Sequence, residues 1–259
     1  MKDHFERAKQ LWRDHDLDGA IAEVRAQMST EGFDDRGGGH HYLGMLLGEK
    51  QLYDEAIAEF EKAVELIPEN PFTRYEFGMA LSDKGDLRRA IDEFERAIYF
   101  KADFAPAHKE VGVLYDRLGD ATAAVTSLRE AARLEPNHAG IHSQLGAILG
   151  RTGNIAEAMT ELREAIRLKP DFPGAHNNLG LTFREAGDLE AAASEFKKAL
   201  RIDRKYAPAH FNLGLVLEKQ GDLNAALTAY EMAMLLGPEH EHFKKAYEKL
   251  STRMSEAQG

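Results

Sequence analysis

The chain has 259 residues, 43% of them apolar, which is enough to bury a continuous core and excludes the intrinsically disordered class. Lys and Arg number 33 against 44 Asp and Glu, a net charge of −11, so the long-range field repels phosphate backbones and anionic lipid and argues against nucleic acid as a partner. The absence of cysteine excludes disulfides, thiolate catalysis and sulfur-ligated zinc.

The opening segment, MKDHFERAKQLWRDHD, is charged throughout and holds no apolar stretch of signal-peptide length. Nor does any later window reach the roughly 18 apolar residues that span a bilayer. No membrane insertion and a cytoplasmic location are the expectations, a signal removed during cloning being the alternative. Residues 1–36 carry DLDGAIAEV around Ala20 and read as a degenerate helical hairpin. The loop STEGFDDRGGG that follows is two residues too long for the spacing seen downstream, and Gly37, Gly38 and Gly39 are expected to make it a hinge.

From residue 37 the chain repeats itself. Ala56, Ala90, Ala124, Ala158, Ala192 and Ala226 fall 34 apart, and upstream of each lies Gly44, Gly78, Gly112, Gly146, Gly180 or Gly214. Six units follow, at 37–70, 71–104, 105–138, 139–172, 173–206 and 207–240. Each reads as two helices with apolar residues at helical spacing. In five units the first helix stops at a glycine (Gly85, Gly119, Gly153, Gly187, Gly221) suited to the left-handed cap, and Asp86, Asp120, Asn154, Asp188 or Asp222 then caps the second. The Gly and Ala columns let the helices of a hairpin approach closely. Phe60, Phe94, Leu128, Leu162, Phe196 and Tyr230 are expected to fill the space between hairpins. Residues 241–259, charged and helix-prone, suit a solubilising C-terminal cap.

This combination of columns, shown in one unit by Leu145, Gly146, Leu149, Ala158, Leu162, Ala165 and Pro170, resembles the tetratricopeptide repeat (TPR). The resemblance implies an all-α, right-handed superhelical solenoid whose first helices line a concave surface. It covers about four fifths of the chain. There are departures: Gln51 and Leu52 stand where Gly-Asp belongs, the proline column holds Ala102 and Arg204, and the favoured tryptophan of the first helix is missing.

Several features invite a chemical reading. His40, His108, His142, His176 and His210 share one repeat position, completed by Arg74. A metal would need ligand nitrogens about 2.0–2.1 Å away, whereas equivalent helices of successive hairpins lie on the order of 10 Å apart, so this column is assigned to packing. The pairs His138 with His142 and His240 with His242 lack a third ligand. Gly146, Gly150 and Gly153 follow no strand, and RGGGHH lacks the Lys-Ser/Thr of a phosphate loop. No nucleophile, base and orienting residue converge. Neither an enzyme nor a bound cofactor or metal is expected.

The resemblance places one apolar column, Met45, Met79, Val113, Ala147, Leu181 and Leu215, and a polar one, Tyr42, Glu76, Glu110, Gln144, Asn178 and Asn212, on the concave face. The lysine, asparagine and arginine clamp by which some members grip a chaperone's terminal carboxylate is incomplete here. The run Gln144, Asn178, Asn212 is instead similar to the asparagine ladder of the O-linked N-acetylglucosamine transferases. The expected peptide groove comprises these three amides with Leu181, Leu215 and Phe211, together with Asn177, Lys109, Tyr75 and Met79. The function expected is that of a scaffold or adaptor for a protein or extended peptide. The alternatives are self-assembly into a homo-oligomer, motivated by Tyr99 and Leu235, and a non-catalytic regulatory subunit of an enzyme complex.

Overall fold

The computed structural model describes residues 4–30 and 33–256, and every regular element among them is an α-helix. The chain divides into two compact units, Met1–Leu118 and Gly119–Gly259. In the first unit three helical hairpins pair α1 (His4–Arg13) with α2 (Leu17–Met28), α3 (Arg36–Glu49) with α4 (Tyr53–Leu66), and α5 (Pro71–Lys84) with α6 (Leu87–Phe100), followed by α7 (Ala105–Arg117). The second begins with α8 (Ala121–Leu134). Three hairpins follow: α9 (Ala139–Arg151) with α10 (Ile155–Leu168), α11 (Pro173–Glu185) with α12 (Leu189–Ile202), and α13 (Ala207–Gln220) with α14 (Leu223–Leu236). Against α14 packs α15 (Glu241–Glu256).

Turn and cap chemistry set the hairpins. Gly85, Gly119, Gly153, Gly187 and Gly221 all adopt φ between 85° and 95°, and His15 and Gln51 hold the same left-handed place at φ 62° despite their side chains. Asp16, Asp86, Asp120, Asp188 and Asp222 each accept a hydrogen bond from the backbone amide three residues on. Asn154 does not cap its helix: its Nδ2 donates to Thr152 Oγ1 instead.

The large rings pack within their own hairpin as well as between hairpins. Phe60, Phe94, Phe196 and Tyr230 lie first over the glycine of their own hairpin. A Cβ on Gly44, Gly78, Gly180 or Gly214 would come within 2.6–2.9 Å of that ring. From there Phe60 stacks on Phe77 of the next hairpin, with centroids 6.1 Å apart.

The three glycines expected in a loop hinge are helical. Gly37, Gly38 and Gly39 form the first turn of α3, with Asp35 accepting from the Gly38 amide. Gly37 and Gly39 are buried, and a Cβ there would meet Ile67 Cγ2 at 2.8 Å and Met28 Cγ at 2.9 Å. Their missing side chains serve close packing against both neighbours, and the cap commits them to helix. Residues 31 and 32 of the connecting loop lie outside the described residues.

Candidate functional site

The histidine column does more than pack. Nδ1 of His40, His142 and His176 lies 2.5, 2.6 and 2.8 Å from a carboxylate oxygen of Glu59, Glu161 and Glu195, each 19 residues on in the second helix. Arg74 makes the same link to Glu93 at 2.7 Å, and His4 to Glu23 at 2.6 Å. A second bond runs back six residues to the loop carbonyl. His108, His142 and His210 reach Ala102, Pro136 and Arg204 through Nε2 at 2.9–3.0 Å, and Arg74 Nε reaches Pro68 at 2.7 Å. The column thus ties a loop and, in several units, the second helix to the first. It retains a basic residue where proline has been lost because the acceptor is a backbone oxygen.

Burial pushes the Glu59 and Glu195 carboxyls up, but hydrogen bonds from Lys62 and His40, and from His176 and Lys198, with the charges of the same partners, leave both below the ordinary glutamate range near 4.5. A carboxyl whose folded value is depressed contributes stability above its unfolded value and loses it as pH falls through the folded one. The melting temperature is therefore expected to drop on acidification below about pH 4.5, where free glutamates take up protons. Glu195→Gln should flatten part of that drop, and an unchanged acid profile in this variant would remove Glu195 from the account.

In the second unit the first helices α9, α11 and α13 stand side by side. Ala147, Leu181 and Leu215 are half-buried on them, as the apolar column requires. The three amides are not equivalent. Gln144 is exposed and Asn178 half-buried, while Asn212 is only 8% exposed and donates Nδ2–H to Asn177 Oδ1 at 2.9 Å. Asn178 Nδ2 lies 3.4 Å from Ser143 Oγ, and its side-chain Oδ1 accepts no bond among the described residues, whereas its backbone oxygen accepts from Thr182 Oγ1 at 2.9 Å. Both bonds link residues 35 apart, one more than the repeat, and Asn177 with Asn212 forms a strut between helices rather than a rung open to a ligand. A cavity of about 370 Å³ opens beside Asn178, lined by Ala147, Leu181, Thr182, Arg151 and Arg184 among others.

The remaining expected residues scatter. Phe211 packs against Tyr230, His242 and Phe243, with centroids 5.8, 5.1 and 4.8 Å away, and so belongs to the seat of α15. Tyr75 lies against Phe94 and Phe104, and burial, with Glu110 and Glu76 adding to it, pushes its hydroxyl up to about 12. Lys109 is spent on Glu110 at 2.8 Å. Met79 lines a second cavity, about 250 Å³, with Trp12, Tyr42, Met45 and Glu76 in the first unit. Sequence reasoning passed over this one because Trp12 comes from the degenerate hairpin, although Tyr42, Met45 and Glu76 stood in the right columns. Tyr99 and Leu235 are exposed, Tyr99 at 82%.

A family model described as the cilia and flagella-associated protein 70 C-terminal domain, a TPR domain, matches residues 14–250. The crystal structure of MamA protein is 25% identical, covers 67% of this chain and 94% of that one, and superposes with a TM-score of 0.62. A tetratricopeptide repeat protein from Parabacteroides merdae is 15% identical over 96% of this chain and 98% of that one, with a TM-score of 0.75. YrrB, described as a TPR protein with an unusual peptide-binding site, is 23% identical over 73% and 97%, with a TM-score of 0.57. The last two likenesses are of fold alone. No curated protein matches this chain. The fold is the all-α class of TPR hairpins. Proteins built this way generally mediate protein–protein interactions and are generally non-catalytic. Among the described residues no helix is long and apolar enough to cross a membrane.

Proposed function

We propose a binding function for this chain, which belongs to the tetratricopeptide-repeat family of the cilia and flagella-associated protein 70 C-terminal domain. It acts as a scaffold or adaptor that lays an extended segment of a protein partner along its first helices, and in the second unit the segment meets Asn178 beside Ala147 and Leu181. The observation that carries this reading is Asn178 itself. On this half-buried residue the side-chain Oδ1 has no partner among the described residues, next to a cavity with an apolar wall. A carboxamide oriented in that way offers both a donor and an acceptor to a peptide backbone, irrespective of the peptide's side chains.

The test begins with capture of the native partner, identified by mass spectrometry, and continues with calorimetry on two variants. Asn178→Ala is expected to weaken the partner roughly two- to tenfold, the worth of one net hydrogen bond, with the circular dichroism unchanged. Asn212→Ala should instead lower stability by about 1–3 kcal/mol and spare affinity, because it leaves Asn177 Oδ1 buried and unpaired. Undiminished affinity in Asn178→Ala would move the interface to another face.

A further inference from the structure

The carboxylates of the first unit divide into two groups. Glu23, Glu59 and Glu93, turned in from the second helices, each hold a basic side chain within 2.5–2.9 Å. Glu76 on α5 does not: it is half-buried, yet no hydrogen bond or ion pair from the described residues reaches it, and burial pushes its carboxyl up. It faces the 250 Å³ cavity between α1, α3 and α5, whose walls are the rings of Trp12 and Tyr42 and the thioethers of Met45 and Met79. Asp83, exposed and equally without a partner among the described residues, stands at the same cavity, as does Glu49, which accepts the Trp12 indole N–H. The Tyr42 hydroxyl is shut off from solvent and bonded to nothing. Lys9 and Arg13 act on Tyr42 from α1, but neither lines the cavity, and Lys9 is engaged by Glu6.

We propose that this cavity receives a basic side chain, lysine or arginine, from the polypeptide partner. The fit is chemical at every wall. The methylene stem would lie on Met45 and Met79 as long cationic side chains lie on apolar surface. The cationic head would come within reach of the indole and phenol faces. Glu76 and Asp83 would supply the charge the head requires. A net charge of −11 favours approach of a basic segment at long range. A carboxylate drawn out of water without a cation is costly, and a ligand that brings one recovers the difference. The inference rests on the reading of the first-helix face as the binding surface, since Tyr42, Met45, Glu76 and Met79 stand in the same repeat columns as Gln144, Ala147, Asn178 and Leu181.

Trp12 is the sole tryptophan of the chain, so its fluorescence reports on this cavity alone. The full chain is titrated at low salt with three capped peptides that differ only in a central lysine, arginine or norleucine. The two basic peptides are expected to change Trp12 emission saturably, more weakly as salt is added, and the norleucine peptide is not. Glu76→Gln, which keeps the shape, should weaken the basic peptides roughly tenfold, and Asp83→Asn by less. Equal binding of norleucine and lysine, or full affinity in Glu76→Gln, overturns the charge assignment while leaving the groove intact. If no peptide binds while Asn178→Ala still weakens the native partner, the cavity assignment alone fails. If Asn178→Ala has no effect either, the groove reading fails with it.

Discussion

Replacing Glu93 with alanine is expected to lower the unfolding free energy by about 3–5 kcal/mol, the range for removing one partner of a buried ion pair. Arg74 and Glu93 are 8% and 7% exposed, 2.7 Å apart, and Arg74 also donates to the Pro68 carbonyl. The cost arises because the guanidinium stays charged at every accessible pH and would be left in the interior without its counter-ion. Arg74→His should cost far less. Histidine fills the equivalent position in five units, and His142 makes both corresponding bonds, to Glu161 and to the Pro136 carbonyl. Urea unfolding followed by circular dichroism checks both variants. A Glu93→Ala loss near that of an exposed pair, below about 1 kcal/mol, would mean that water reaches Arg74 once the glutamate is gone.

Phe196→Ala should be comparably severe, about 3–5 kcal/mol, through lost transfer energy and the void left behind. Its ring is fully buried and lies over Gly180, where an added Cβ would stand 2.6 Å from Phe196 Cε1. The same contact makes the pair non-additive. Gly180→Ala alone should cost about 1–3 kcal/mol by overpacking, and much less once residue 196 is alanine, since the atom it strikes has been removed. A double-mutant cycle by urea denaturation measures this. Strictly additive losses would show that the ring moves aside freely and that the glycine column has another cause.

The candidate site was legible unevenly, and the residues show why. The columns placed Ala147, Leu181 and Met79 on first helices, where they are half-buried, because period and hydrophobicity reveal which side of a helix is turned inward. They could not separate Asn178 from Asn212, which occupy one column and meet opposite fates, half-buried beside a cavity and buried against Asn177. Phe211 was placed in the groove by the same logic, but α15 lies outside the repeat, and its Phe243 and His242 take up the ring.

By itself the amino-acid sequence determined the helical class, the 34-residue period and four of the five second-helix caps it pointed to, since these depend on groups within a few residues of one another. An Asp after a left-handed glycine can find its backbone donor without help from the rest of the chain. Asn154, held by its neighbour Thr152, is the exception that is still local. Only the tertiary structure decided what three successive glycines do, which amides bond across helices and where cavities form. Gly37 and Gly39 carry no side chain where Ile67 and Met28 leave no room for a Cβ. Asn212 bonds Asn177 and Asn178 bonds Ser143, each 35 residues back, because stacked helices are offset by one, and the Trp12 cavity exists because α1, α3 and α5 converge there. Each of these follows from the separation and rotation of packed helices, a quantity summed over many side-chain volumes that no single column of residues carries.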